Sequence, residues 1–286
     1  MDRKSFLKRS AAVAAALAAA PALGAAAKNT SEEKAPQVGF NHLPLNEIKT
    51  MNTVFHPANS RGHADHGWLK TYHSFSFAQY YNPERMHFGV LRVLNDDTIA
   101  GGTGFGRHPH DNMEIITIPL EGALEHQDSM GNKAVITAGE VQVMTAGTGI
   151  QHSEYNAHKD QTGRFLQIWA FPRARNLTPR YDQKKFDPAA MQNQWQLLVS
   201  PNPEDSGVWV NQDLWFHQTQ LEAGKSLSYR LQKPGNGLYL FMIEGQAQVG
   251  QQKLQRRDAL GMWDTSEFQI QADQNSHVLL MEIPMR

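Results

Sequence analysis

Residues 102–122 read Gly102-Thr-Gly-Phe-Gly-Arg-His108-Pro-His110-Asp-Asn-Met-Glu114-Ile-Ile-Thr-Ile-Pro-Leu-Glu-Gly122, and about forty residues after His108 the chain reads Met144-Thr-Ala-Gly-Thr-Gly-Ile-Gln-His152-Ser-Glu154. Both are apolar runs punctuated by glycine, the grammar of short strands and tight turns. In an extended strand side chains alternate between faces, so residues i and i+2 share one face about 6.5–7 Å apart. His108 with His110, and His152 with Glu154, therefore each form a same-face pair. Two such strands side by side aim three imidazoles and one carboxylate at a single interior point, a donor set suited to one divalent transition metal. His-Pro-His by itself is equally compatible with a surface turn; the second pair at matched spacing favours the metal.

Outward from this stretch, further β-branched and apolar runs are separated by glycine and Asx turns: His87 to Leu94, Lys133 to Thr137, Glu140 to Thr145 and Arg164 to Phe171. Short strands at such intervals predict an all-β sandwich or barrel. Residues 176–194 are polar and proline-bearing and read as an interdomain crossing, with a short helix expected at Pro188 to Gln194. Strand-like sequence resumes at Trp195 to Val199 and continues through Leu214 to Gln220, Leu227 to Leu231, Leu238 to Ile243, Gln246 to Val249 and Val278 to Ile283. The run Glu114 to Gly122 is echoed by Tyr239-Leu-Phe-Met-Ile-Glu-Gly245, and Ala138-Gly-Glu140 by Arg257-Asp-Ala259. Such internal similarity points to two copies of one β-barrel unit, one over residues 47–175 and one over 195–286. The second copy has neither a His-x-His nor a histidine–carboxylate pair, so a metal is expected in the first alone.

Residues 1–27 stand apart from this pattern. A basic start, Asp2-Arg-Lys-Ser-Phe-Leu-Lys-Arg9, leads into an alanine-rich apolar run and then Ala25-Ala-Ala27 before Lys28, the make-up of a secretory signal peptide. Arg3-Lys4-Ser-Phe-Leu-Lys8 resembles a twin-arginine export signal with lysine in the second basic place. The run is short and poor in large apolar side chains, which argues against a stable membrane anchor. Residues 28–46 read as a linker, and the expected destination is the periplasm or another exported location. The 286-residue chain carries 27 basic and 28 acidic residues, a net charge of −1, so no overall field draws it to nucleic acid. It contains no cysteine, which excludes disulfides, thiolate metal sites and a cysteine nucleophile.

The spacing of Gly102, His108, His110, Glu114 and Gly122, followed by Gly139, Gly147, His152 and Asn156, resembles the cupin pattern, with small departures in length. The chain is more closely similar to the pirin family within that superfamily. The resemblance rests on Arg61-Gly-His-Ala-Asp-His-Gly-Trp-Leu-Lys-Thr-Tyr-His-Ser-Phe-Ser-Phe-Ala-Gln-Tyr-Tyr81, His108-Pro-His-Asp-Asn-Met-Glu114, Met144 to Glu154 and Leu177-Thr-Pro-Arg-Tyr181. It covers roughly residues 50 to 286 and implies a bicupin, two packed cupin (jelly-roll) barrels with one metal in the N-terminal barrel. The ligands it implies are His108, His110, His152 and Glu154. The ion it implies is iron(II), while the donors also suit nickel, manganese, cobalt, copper or zinc.

Glu114 holds the carboxylate-ligand place in the general cupin pattern, whereas the pirin pattern gives that place to Glu154. We favour Glu154, with Glu114 beside the site as a partner that orients a ligand imidazole. His63, His66 and His73 read as packing residues, and His126 with Asp128 leaves both a structural and a functional reading open.

The resemblance implies quercetin 2,3-dioxygenase-like chemistry on a small planar aromatic substrate with dioxygen. Glu154 would both ligate the metal and accept the substrate's hydroxyl proton. The alternative is a non-catalytic metal-binding or redox-sensing module that binds a partner.

Overall fold

The computed structural model describes residues 51–286; the expected signal peptide (1–27) and linker (28–46) lie outside the described residues. Each half of the chain is a two-sheet jelly roll of one seven-stranded and one four-stranded open sheet. The expected pair of cupin (jelly-roll) domains is thus present, each with two facing sheets that are not joined by continuous hydrogen bonding around the rim. In the first half the large sheet runs, in spatial order, Arg180–Lys185, Glu140–Thr145, Glu114–Glu121, Gly163–Ala170, Leu91–Ile99, Leu69–His73 and Gly62–Asp65. The small sheet runs Gly104–His110, Ile150–Asn156, Ala123–Asp128 and Lys133–Thr137. The second half repeats this with a small sheet ordered Ser226–Arg230, Glu267–Ala272, Gln246–Val249 and Gln252–Gln255.

Burial along the strands explains their sequences. Ile150–Asn156 and Glu267–Ala272 alternate buried with exposed residues because one face lines a sandwich and the other meets water. Glu114–Glu121 and Asn236–Glu244 are buried on both faces almost throughout, and read as continuous apolar runs. One face of Glu114–Glu121 lines the first sandwich, where Met113 and Ile115 pack with Leu69, Val93, Phe165 and Trp169. The other face packs Ile116 and Ile118 against Phe216, Tyr239, Phe241 and Met281 of the second domain. Tyr239 and Phe241 face this seam while Leu238, Leu240 and Met242 fill the second sandwich.

Two boundaries differ from the expected ones. Asn52–His56, expected to open the first barrel, pairs antiparallel with Ala259–Trp263 at the edge of the second domain's large sheet. Arg180–Lys185, expected within the crossing, pairs with Glu140–Thr145 and closes the first domain's large sheet. An edge strand needs only backbone partners on one side, so Arg-Tyr-Asp-Gln-Lys-Lys can pair while remaining polar. These exchanges fasten each end of the first domain to a sheet. The expected helix is a single 3-10 turn, Pro188–Met191, capped by the Asp187 side chain accepting from Ala189 N at 2.9 Å.

Candidate metal centre

The small sheet of the first domain carries the site on three adjacent strands. Gly104–His110 and Ile150–Asn156 pair antiparallel, with His152 opposite His108 and Ile150 opposite His110. A bulge lies between His152 and Glu154, after which Glu154 stands opposite Phe105. Gly104 allows this close approach, since a Cβ there would overlap the Glu154 carbonyl. On its other side the strand pairs with Ala123–Asp128, placing Asp128 opposite His152 and His126 opposite Glu154.

His108, His110 and His152 converge, each offering a ring nitrogen within 4.8 Å of the others. The His152 ring centroid lies 4.4 Å from that of His108 and 4.9 Å from that of His110. His126, His152 and Glu154 form a second trio within the same 4.8 Å limit, so the four expected ligands fall into two overlapping groups that share His152. His126 is the member that sequence reasoning left undecided. Its signal was the same-face spacing with Asp128, which carries no information about which face looks inward.

Burial dominates the electrostatics. It pushes His110 down to about 3, with His108 adding to the effect, and holds His152 well below the ordinary imidazole range, with His108, His110 and His126 contributing. It lowers His108 as well, and it raises Glu154 to about 7 against the hydrogen bond from Gln167. The imidazoles therefore favour their neutral, metal-ligating form, while Glu154 loses its proton near neutral pH and a nearby cation favours its carboxylate. His152 Nε2 is buried with no hydrogen-bond partner, an arrangement that a bound cation explains and an apolar core does not. His108 Nδ1 donates to Gly106 O at 2.8 Å, which leaves its Nε2 as the bare nitrogen. The donor set thus fits a divalent transition ion.

Glu154 Oε2 accepts from Gln167 Nε2 at 2.8 Å, and Oε1 lies 3.4 Å from Thr117 Oγ1. Thr117 Oγ1 is also 2.9 Å from Gln167 Oε1, where its single proton makes the shorter bond, so Glu154 Oε1 has no committed donor. A cavity of about 560 Å³ opens beside His110, lined by Arg107, Met113, Ile150, Gln151 and Trp169. Trp169 meets the His110 ring edge-on at 4.9 Å and forms an aromatic wall.

The structure does not bring Glu114 to the imidazoles. Its neighbours Met113 and Ile115 face the first sandwich, so Glu114 lies on the opposite face with Ile116, toward the domain seam. There its Oε2 accepts from Thr145 Oγ1 at 2.8 Å and from Asn211 N, in the second domain, at 3.2 Å. The expected role of steadying a ligand imidazole is replaced by one at the seam, because the parity of the strand places residue 114 outward. His73 is a packing residue whose Nδ1 donates to Asn95 Oδ1 at 2.8 Å, and His63 stacks on Tyr72.

Comparison with known proteins follows this geometry. The pirin family model matches residues 54–170, and a model described as the quercetinase C-terminal cupin domain matches residues 197–283. The chain is 44% identical over 227 residues to quercetin 2,3-dioxygenase of Escherichia coli K12, covering 79% of this chain and 96% of that protein. It is 40% identical over 227 residues to a pirin-like protein of Caulobacter vibrioides, covering 79% and 97%. Among solved structures it is similar to the bacterial pirin YhhW of Escherichia coli in complex with nickel(II), at a TM-score of 0.78 and 42% identity. That match covers 82% of this chain and 100% of YhhW.

Proposed function

The chain belongs to the pirin family, and from that premise we propose that it is an exported dioxygenase acting on flavonol-type or related phenolic substrates. It is a metal-dependent cupin oxidoreductase. His108, His110, His152 and Glu154 would hold one divalent ion, iron(II) in our reading. The observation that carries the proposal is the convergence of three neutral imidazoles around the unpartnered His152 Nε2, beside a cavity with an aromatic wall.

When bound, the ion would supply Lewis acidity and a redox-active centre. The chain's own residues do the rest. A flat phenolic ring enters the cavity between Met113, Ile150 and Trp169, whose apolar surfaces displace water. Arg107 and Gln151 at the cavity wall meet its polar substituents. Glu154 Oε1, which lacks a committed donor, takes the proton of the substrate hydroxyl, while Gln167 holds Oε2 in place. Removal of that proton makes the ring more electron-rich and open to oxidation by dioxygen.

Oxygen uptake with quercetin and simpler phenols, on protein loaded in turn with iron, manganese, nickel, cobalt and copper, tests the proposal. Metal-dependent turnover is expected. Stoichiometric metal binding without turnover on any of them would move the protein to a metal-binding or sensing role. Export rests on the pattern of residues 2–27; a mature protein whose N-terminus is Lys28 supports it, and an intact Met1 opposes it.

A further inference from the structure

We propose that Asp128, His126 and His152 form a hydrogen-bonded relay that fixes the tautomer of His152, so that Nδ1 carries the proton and Nε2 faces His108 and His110 bare. His126 and Asp128 are then positioning residues of the metal centre. The proposal rests on the metal-binding reading above, and nothing in the opening pair of motifs requires it.

The relay starts from a carboxylate that can only accept. Asp128 Oδ1 takes Met130 N at 2.9 Å and Asn132 N at 3.0 Å, and Oδ2 takes Asn132 Nδ2 at 2.8 Å, so the turn after the strand locks the group in place. His126 Nε2 lies 3.3 Å from Oδ2 and must present its proton there. The His126 ring cannot swing away, being fully buried and stacked on Tyr181 with centroids 4.6 Å apart and planes at 26°. A neutral imidazole carries one N–H, so His126 Nδ1 is an acceptor. It lies 3.5 Å from His152 Nδ1, which is therefore the donor.

The remaining nitrogen of His152 is the buried Nε2 without a partner. His108 reaches the same state by a separate route, its Nδ1 proton committed to Gly106 O. Two independent acceptors thus leave a bare Nε2 lone pair on each of two rings whose centroids lie 4.4 Å apart. Partners of this kind typically change metal affinity about 10–100-fold when removed.

Three variants separate this role from a structural one. His126→Phe keeps a ring over Tyr181 and removes the acceptor. His126→Asn places an amide oxygen near the former Nδ1 position and restores it. Asp128→Asn inverts the relay: the two backbone donors hold the amide oxygen at the Oδ1 place, which turns the NH2 toward His126 Nε2 and forces the proton onto Nδ1. The probe is cobalt(II) alone, with affinity read by chelator competition and coordination read from the visible ligand-field bands. Imidazole nitrogen-15 shifts of the full-length, metal-free protein report the tautomers directly.

The expected result is a parent His152 protonated on Nδ1, with affinity about 10–100-fold weaker in His126→Phe and Asp128→Asn and within about threefold of parent in His126→Asn. Parent-like affinity and bands in His126→Phe overturn the relay, as does a His126 protonated on both nitrogens or a His152 bare at Nδ1. A lower cobalt stoichiometry in His126→Phe that His126→Asn fails to restore would make His126 a ligand and overturn the positioning role. If the parent itself binds no cobalt, the metal-binding reading fails and takes the relay with it. If the parent binds and the variants match it, the relay alone fails.

Discussion

Glu114→Gln asks whether residue 114 serves the metal or the seam, and the answer can be worked from the structure. Glu114 is fully buried, and burial lifts its carboxyl from 4.5 to about 7 despite hydrogen bonds from Thr145 and Asn211. A folded-state value raised above the unfolded one means that the folded chain binds the proton more tightly. The associated stability is complete below about pH 4.5 and is lost as pH rises through 7. At 1.36 kcal/mol for each tenfold change in proton affinity, the lift from 4.5 to about 7 amounts to about 3 kcal/mol. Glutamine keeps an oxygen for Thr145 Oγ1 and Asn211 N and has nothing to ionise. The variant should therefore equal or fall slightly below the parent at pH 5 and gain about 3 kcal/mol relative to it by pH 8.5. Urea unfolding of metal-free parent and variant across that range measures the difference, in which all other titrating groups cancel. Metal content of the variant should match the parent. Parallel stability curves would refute the burial argument, and loss of metal from Glu114→Gln would refute the assignment of its face.

Glu154→Gln should reduce metal affinity at least about tenfold while leaving the metal-free fold intact, since the amide can still pair with Gln167; elemental analysis after gel filtration checks this. Gly104→Ala sets a methyl against the Glu154 carbonyl, and should cost about 1–3 kcal/mol and weaken metal binding by displacing Glu154. Gly139→Ala, with open space around it but φ of +86°, should cost about 1 kcal/mol and leave metal binding unchanged, as urea unfolding and chelator competition would show. Phe241→Ala removes a fully buried ring from the seam and should cost about 3–5 kcal/mol. A loss confined to the second domain's unfolding, with the first domain's midpoint unmoved, would count against the seam as a shared core.

The legible parts of this fold and site are those that depend on parity within one strand. Lys133–Thr137, Glu140–Thr145 and Gln246–Val249 end where their β-branched and turn residues place them. The His108/His110 and His152/Glu154 pairs share faces because an i, i+2 relation survives any choice of partner strand. What the sequence leaves open depends on relations between strands. Whether residue 114 or 115 looks inward is set by how Glu114–Glu121 meets the second domain, and both faces of that strand are apolar. The bulge that shifts Glu154 against Phe105 comes from the pairing itself. Arg180–Lys185 looks like a linker because an edge strand satisfies its backbone without apolar side chains. His126 and Asp128 carry the same spacing as the ligand pairs, but only the neighbour strand decides that they look toward His152.

The second domain shows how little of the site belongs to the scaffold. Its small sheet has the same strand order, yet the inward positions facing one another are Leu227 with Ile270 and Tyr229 with Phe268. It even buries a carboxylate: Glu282 accepts from Tyr229 Oη, Gln232 N, Lys233 N and Asn236 Nδ2 at 2.8–3.0 Å. Four donors saturate that group and leave no lone pair for a ligand. Unsatisfied atoms alone are not sufficient either, since Glu114 Oε1 and His217 Nδ1 are buried without partners and neither joins a cluster of ligating side chains among the described residues. The first sandwich meets both conditions at once. Its ligating groups converge in two trios that share His152, and the hydrogen bonds at His108 Nδ1, His152 Nδ1 and Glu154 Oε2 leave His108 Nε2, His152 Nε2 and Glu154 Oε1 as the atoms available to a cation.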